Sequence, residues 1–289
     1  MNYRGRFAPS PTGHLHFGSL VAAVASYLDA HHHQGVWLVR IEDLDPPREV
    51  PGAADAILRV LESFALHWDE SVCYQSQRHE QYHHYLDTLS ARNLTYHCQC
   101  TRKQLSQYQG HYPNLCRERG LTLAHPAIRL KHLTPLASFE DRVQGTVKHD
   151  FTAQAEDFVL RRRDGLFAYQ LAVVVDDIEH NISHIVRGAD LIDSTFKQAQ
   201  LYQYLEQPCP AYLHIPLAVT ATGSKLSKQN YAPAVAAKEA PKALSQALRF
   251  LGQALPEELT NAPCPEQLAW ATQHWQPQQI PQQHEIILP

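Results

Sequence analysis

The sequence lacks what would carry it into or across a membrane. No uncharged apolar run reaches the ~20 residues a bilayer span needs, and the N-terminal MNYRGRFAPSP holds no apolar segment of the kind a secretory signal uses. An excess of positive charge is also missing: 25 Lys and Arg against 29 Asp and Glu leave a net charge of −4 with histidine neutral. Any contact with a nucleic acid must therefore come from local patches and not from the field of the whole chain. No internal repeat is visible. The six cysteines (Cys73, Cys98, Cys100, Cys116, Cys209 and Cys264) do not read as a disulfide framework, because three of them cluster. A metal site in a reducing, cytoplasmic setting is the expectation.

One further absence raises the functional question. In RFAPSPTGHLHFGSL, residues 6–20, Gly13 and Gly18 have the spacing of a phosphate-binding loop, yet no Lys follows Gly18. It is not a complete G-x-x-x-x-G-K-[ST] loop. Two histidines, His14 and His16, stand there instead.

What is present suits an α/β protein. The 289 residues, 44% hydrophobic, suggest one large or two modest domains with an ordinary core. YRGRFAP reads as a short strand. SLVAAVASYLDAHHHQG reads as a helix with Leu20, Val21, Val24, Ala25 and Leu28 on one face and Gly35 just beyond its end. His31 to His33 fall at that helix's C-terminal end, where partial negative charge favours them. GVWLVRI is a buried strand, followed by the acidic loop EDLDPPR. Strand, helix, strand opens a parallel sheet. Helices are expected over about residues 54–68 and 78–92. Periodicity weakens over residues 121–150, the mark of an inserted subdomain. DFVLRRRDGLFAYQLAVVVDDI reads as a hairpin turning at Asp164-Gly165, AYLHIPLAV as a strand, and Pro241 starts a helix with Leu244, Ala247, Leu248 and Leu251 in phase.

A strand-loop-helix junction presents free N–H groups and the positive end of a helix dipole, so anions are its natural guests. Gly13 and Gly18 allow close approach, and a histidine can donate to a phosphate oxygen. Two rival readings are a His-x-His metal pair and a connector without chemistry. The missing positive charge lies about 210 residues later in TGSKLSKQN, where Lys225 and Lys228 follow a glycine; alone, this stretch reads as a solvated basic turn. Cys98-x-Cys100 and Cys116 offer three thiolates, which suit tetrahedral zinc. The fourth ligand could be His97, His111 or Tyr112, and residue type alone favours His111. Reduced cysteines near a turn are the alternative.

PSPTGHLHFGS together with KLSK resembles the HIGH and KMSKS motifs of class I aminoacyl-tRNA synthetases. RFAPSPTG, RIEDLDPPR, AVVVDD, HIVRG and HIPLAVTATGSKLSK resemble the glutamyl branch, in the right order, over roughly residues 4–230. The resemblance implies a Rossmann-like parallel-sheet core with an inserted zinc-containing α+β subdomain and a short helical C-terminal segment. Its divisions are residues 1–95 and 166–230 for the two halves of the core, 96–165 for the insertion and 231–289 for the tail. His16 and Lys228 become the catalytic residues; His16, Gly18, Lys225 and Lys228 bind ATP, which Mg2+ accompanies. Arg6, Ala8, Ser10, Glu42, Tyr169 and Arg187 contact L-glutamate, the arginines as carboxylate forks and Glu42 at the amino group.

The chain also departs from the branch. Gln229 replaces the last Ser of KMSKS, Ala189 and Leu191 replace an acid and a His in the RGEDH pattern, and 59 residues after Asn230 leave room for little beyond a small helical segment. These departures resemble the glutamyl-Q type, which activates glutamate without tRNA and attaches it to the queuosine base in the anticodon of tRNA(Asp). That type's Cys-x-Cys…Tyr-x-x-x-Cys pattern implies a structural zinc held by Cys98, Cys100, Tyr112 and Cys116. A cytoplasmic monomer is expected. The alternatives are a shortened synthetase that charges the tRNA 3′ end, and a silent paralogue that binds RNA or an amino acid.

Overall fold

The computed structural model describes residues 3–108, 112–133, 136–148, 157–220 and 234–288. β1 (Arg4–Phe7) leads through the proline-containing loop into α1 (Phe17–His32), and β2 (Val36–Ile41) returns parallel to β1. The return passes so close to β1 that a Cβ on Gly35 would stand 2.5 Å from the carbonyl oxygen of Tyr3. α2 (Ala53–Ser63), the short β3 (Cys73–Tyr74) parallel to β2, and α3 (His79–Ala91) complete this half. α2 ends sooner than its apolar phase suggests. Ala65, at φ 57°, turns the chain so that Phe64 and Leu66 are buried off the helix.

The chain then leaves the sheet. β4 (Thr95–Cys98), α4 (Arg102–Leu105) and β5 (Ala127–Leu130) belong to the insertion, followed by the hairpin β6 (Ser138–Asp141) and β7 (Gly145–Lys148), and by β8 (Val159–Arg161). β4, β5 and β8 form a three-stranded antiparallel sheet. The hairpin, although inside residues 96–165, joins the main sheet, with β6 beside β10. α5 (Tyr169–Glu179), β9 (His184–Gly188), α6 (Ile192–Tyr204) and β10 (Ala211–Ile215) make the second half. β11 (Leu217–Val219), α7 (Ala240–Phe250), α8 (Cys264–Gln273) and β12 (Glu285–Ile287) follow, with β12 parallel to β11.

The two halves meet where β9 lies beside β1, and the N–H of Ser183 donates to the Arg4 carbonyl at 3.0 Å. The strands therefore run β3-β2-β1-β9-β10-β6-β7. One core packs α1, α2, α7 and α8 on β1 and β2 around Leu28, Trp37, Phe64 and Trp275. A second joins α3, α5 and α6 to the insertion through Tyr82, Leu130, Phe158 and Leu201. Among the described residues, no helix is long and apolar enough to cross a membrane.

Two expectations need correction. The turn at Asp164-Gly165 is present, with Gly165 at φ 89° and Arg161 bridged to Phe167. The segment after it is helix α5 and not the return strand of a hairpin. An apolar run such as Leu171–Val175 suits a buried strand or a helix buried all round, and periodicity does not separate them. AYLHIPLAV is two strands, β10 and β11, because Pro216 between them has no N–H to give a ladder.

Asp29 ties several of these elements. Fully buried on α1, it accepts hydrogen bonds from the Tyr3 hydroxyl, from Arg142 Nη1 and Nη2 (2.5 and 3.0 Å) and from Trp275 Nε1 (2.9 Å). Burial opposes ionisation, but these donors outweigh it and hold the carboxyl below its usual range. The stabilisation is present above the unfolded carboxyl pKa and is lost as pH falls through the lower folded value. Asp29→Asn should cost about 3 kcal/mol at pH 7, or roughly 6–12 °C in Tm, with the deficit closing in acid. Chemical denaturation at pH 7 and at a pH well below the ordinary carboxyl value of 3.8 checks it.

Candidate active site

The chain leaves β1 toward β2 on one side, and leaves β9 toward β10 on the other. The crevice beyond the carboxyl ends of such diverging strands is where open α/β sheets bind ligands. A cleft of about 650 Å3 lies there. It gathers Arg6, Ala8, Ser10, His16, Gly18, Glu42, Tyr169 and Arg187 from five segments of the chain. These are all of the expected substrate and ATP contacts within the described residues. Lys225 and Lys228 fall outside them. Ala218, before that stretch, lines the cleft, and Ala234, after it, bridges to His16.

One end of the cleft is built from backbone. His16 is the N-cap of α1: its Nδ1 accepts the Ser19 N–H (3.2 Å), and its carbonyl accepts that of Leu20 (2.9 Å). With Nδ1 accepting, the ring proton sits on Nε2, 3.0 Å from Ser19 Oγ. Gly18 leaves the first turn without a side chain, so the helix N-terminus faces the cleft as an anion site. Gly13, at φ 140°, has the backbone only glycine takes readily. His14 is exposed and does not line the cleft. The His-x-His metal pair is thus not formed, and the one metal-capable group among the described residues is the cysteine cluster.

The other end is built from buried charge. Asp177 accepts Arg6 Nε (3.0 Å) and Nη2 (3.3 Å) and Arg40 Nη1 (2.6 Å). Its neighbour Asp176 accepts Arg78 Nε (2.5 Å), Gln75 Nε2 (2.7 Å) and the Tyr82 hydroxyl (2.9 Å). Arg40 also reaches Glu42, at 3.3 Å. Burial works against both carboxylates that share these arginines, with opposite outcomes. At Asp177 the close contacts of Arg40 and Arg6 prevail and the pKa falls; at Glu42 burial prevails and the pKa rises. Arg40 and Arg6 thus only partly offset the burial of Glu42, and a further cation in the cleft would stabilise its charge. Across the cleft Arg187, 5% exposed, donates to neutral acceptors: His214 Nε2 (3.1 Å), Gln198 Oε1 (2.8 Å), Thr195 Oγ1 (2.8 Å) and the Leu191 carbonyl (3.3 Å). A guanidinium oriented without being neutralised attracts an anion. The cleft thus suits a zwitterion with an extra carboxylate beside a phosphate chain.

A second cleft, of about 790 Å3, shares Ser10, Thr12, Glu42 and Tyr169 with the first. It runs between the core and the insertion and is flanked by Arg48, Arg102, Arg162 and Arg163. In the insertion, Cys98, Cys100 and Cys116 hold their sulfurs within 4.8 Å of one another, with Cys100 and Cys116 at 3.6 Å. Tetrahedral zinc with bonds of about 2.3 Å sets sulfurs about 3.8 Å apart, so the cluster fits a metal ion. The Tyr112 hydroxyl lies 3.5 Å from Cys98 Sγ and accepts the Cys116 N–H (3.0 Å). His97 turns its Nδ1 to the Leu123 N–H, and His111 lies outside the described residues. Burial and the adjacent sulfurs push the Cys100 thiol up to about 12. All six cysteines are free.

Sequence reasoning missed Arg40, Asp176, Asp177 and His214. One signal was available: in AVVVDD an apolar run passes straight into two acids. A strand reading sends alternate residues outward and leaves no reason to look for their counter-ions. In the helix both acids are buried.

The family described as tRNA synthetases class I (E and Q), catalytic domain, matches residues 2–254. A protein of Serratia proteamaculans named glutamyl-Q tRNA(Asp) synthetase is 52% identical over 99% of this chain and 94% of its own. One of the same name from Photobacterium profundum is 52% identical over 99% and 93%. The crystal structure of glutamate-tRNA synthetase from Elizabethkingia anophelis superposes with a TM-score of 0.82 at 23% identity, over 98% of this chain and 67% of that one.

Asp177→Asn should expose the cost of the buried arginines. Removing one partner of a buried ion pair typically costs about 3–5 kcal/mol. Because the Asp177 pKa is lowered by folding, its contribution is complete above the unfolded value and disappears as pH falls through the folded one. The melting temperatures of variant and parent should differ most at pH 7 and converge only in strong acid. A gap unchanged by pH would show that charge is not the cause.

Proposed function

The chain belongs to the class I tRNA synthetases of the E and Q group, among the glutamyl-Q tRNA(Asp) synthetases, and we propose that it activates L-glutamate with ATP and glutamylates queuosine. It is a ligase-type enzyme. In this reading activation needs no tRNA, and the acceptor is the queuosine base in the anticodon of tRNA(Asp). The observation that carries it is the convergence of Glu42, Arg6 and Arg187 on one cleft with the α1 N-terminus.

Each residue then has a task. Glu42 holds the ammonium of glutamate, and Arg6 and Arg187 hold its carboxylates. Tyr169, Ala8 and Ser10 complete the contacts. The phosphates of ATP, with its Mg2+, lie against His16, Gly18 and the helix N-terminus, while Lys225 and Lys228 bring the charge the loop lacks. The α-carboxylate attacks the α-phosphorus in line; a C–O–P bond forms, and the P–O bond to pyrophosphate breaks. No side chain serves as nucleophile. Catalysis is positioning and stabilisation of phosphate charge. A hydroxyl of the acceptor base then attacks the mixed anhydride and AMP leaves. The second cleft, with Arg102 and Arg163 in its lining, suits an RNA backbone that delivers its base to the shared residues. The reading takes the protein as a monomer in a cytoplasmic setting, to which its free thiols are suited. Cys98, Cys100, Cys116 and Tyr112 would hold a structural zinc.

The test is glutamate-dependent ATP–pyrophosphate exchange without tRNA, followed by charging of tRNA(Asp) that carries or lacks queuosine, with and without its 3′ adenosine. Charging that needs queuosine and survives 3′ trimming is expected. Loss on trimming would indicate 3′-end charging, and no exchange at all a silent paralogue. Lys228→Ala should lower exchange by about 10²–10³-fold while calorimetric glutamate binding persists.

Elemental analysis should find one zinc per chain. Cys100→Ser should lose the metal and lower Tm together, since a structural site contributes folding energy. Chelator-treated protein that melts at the original temperature would reduce the cluster to three thiols.

A further inference from the structure

We propose that the buried pair Asp141–His214 positions Arg187, and thereby sets the affinity for glutamate, by presenting an imidazole lone pair to the guanidinium Nε. The inference rests on the reading of Arg187 as a glutamate contact. Neither His214 nor Asp141 lines the cleft, and His214 is fully buried on β10.

The hydrogen bonds determine the tautomer. Arginine Nε is only a donor, so His214 Nε2, 3.1 Å away, carries a lone pair. The ring proton is then on Nδ1 and is donated to Asp141 Oδ2 at 2.7 Å. Asp141 must be ionised to serve all its donors, since it also accepts the N–H groups of Val143 (3.0 Å), Gln144 (2.8 Å) and His214 (3.1 Å to Oδ2). The turn between β6 and β7 thus specifies which imidazole nitrogen faces Arg187. This gives the hairpin's departure from the insertion a purpose, for its pairing with β10 joins Tyr212 to Asp141.

The choice of histidine has an electrostatic reason. An acid at position 214 would orient Arg187 but also neutralise it, and so compete with the substrate carboxylate. A neutral acceptor orients the guanidinium and leaves its charge for the ligand. Arg6, across the cleft, is already matched by Asp177. The remaining bonds of Arg187, to Gln198, Thr195 and the Leu191 carbonyl, are also to neutral groups. The charged groups acting on His214 are Asp141 from β6, Arg187 from β9 and Asp190 from the turn after β9. The Tyr212 and Phe139 rings pack against it. Burial first, with Arg187 added, outweighs Asp141 and keeps the imidazole neutral at neutral pH.

The experiment measures glutamate affinity by calorimetry on the full chain, and KM for glutamate and for ATP in pyrophosphate exchange. The variants are His214→Leu, His214→Gln, Asp141→Asn and Arg187→Ala. His214→Leu leaves a buried charged donor without its acceptor, and Asp141→Asn can offer an amide N–H to Nδ1, which moves the ring proton to Nε2 and sets it against the Arg187 Nε–H. Both should weaken glutamate binding about ten-fold or more, with KM for ATP within about two-fold. His214→Gln, which can return an oxygen acceptor, should recover part of the loss. Imidazole 15N shifts should report an Nδ1–H tautomer in the parent and a changed ring in Asp141→Asn. If Arg187→Ala weakens binding but His214→Leu and His214→Gln do not, the positioning role is overturned and the reading of Arg187 stands. If Arg187→Ala binds glutamate as the parent does, that reading falls and the inference with it. Equal losses for glutamate and ATP would mark a structural role and also overturn the proposal. Should His214→Leu fail to fold, His214→Gln and the 15N shifts decide.

Discussion

Asp176 and Asp177 are consecutive acids on α5, both buried, and the molecule is arranged to neutralise them. Two ionised carboxylates in a protein interior persist only when cations and other donors surround them. Asp177 draws Arg6 from β1 and Arg40 from β2; Asp176 draws Arg78 and Gln75 from the segment before α3 and Tyr82 from α3 itself. One turn of helix thus fastens the two halves of the sheet and the helix that supports the insertion. Each arginine so anchored has its guanidinium set within a narrow range, and two of them, Arg6 and Arg40, border or brace the cleft.

The cleft divides its work between two kinds of chemistry. One end presents backbone N–H groups and a helix dipole, which need no ionised side chain and tolerate glycine. Its other end uses side-chain charge that is deliberately left incomplete. Glu42 shares Arg40 with the closer Asp177 and retains a raised pKa; Arg187 donates its hydrogen bonds to neutral acceptors. Such groups cost stability in the empty protein, and a ligand of opposite charge would complete them. A pocket that merely balanced its own charges would hold its shape better and bind less.

The sequence made this backbone end legible because its signals are local. HLHFGS places a histidine and a glycine just before an amphipathic stretch, and His16 and Gly18 both line the cleft where α1 begins. The thiol cluster was legible for the same reason: Cys98 and Cys100 are separated by one residue, and Cys116 is close in sequence. The charged end was legible only through resemblance. Arg6, Glu42, Tyr169 and Arg187 are far apart in the chain, and each read singly suits a surface ion pair or core packing. Their supports were not legible at all. Nothing near His214 announces Asp141, 73 residues away, and reading α5 as a strand concealed the role of Asp176 and Asp177.

By itself the sequence determined the parallel α/β core, the strand-loop-helix junction at its start, the metal-capable thiols and the list of residues that share one cleft. Short-range spacing and capping carry that information, because helix, turn and ligand geometries act over a few residues. Tertiary structure alone decided that β9 lies beside β1, that β6 and β7 leave the insertion for the main sheet, and which carboxylate is satisfied and which is left wanting. Those outcomes depend on distances between groups remote in sequence and on how much water each retains. A pKa or a tautomer is a property of that surrounding and not of the residue.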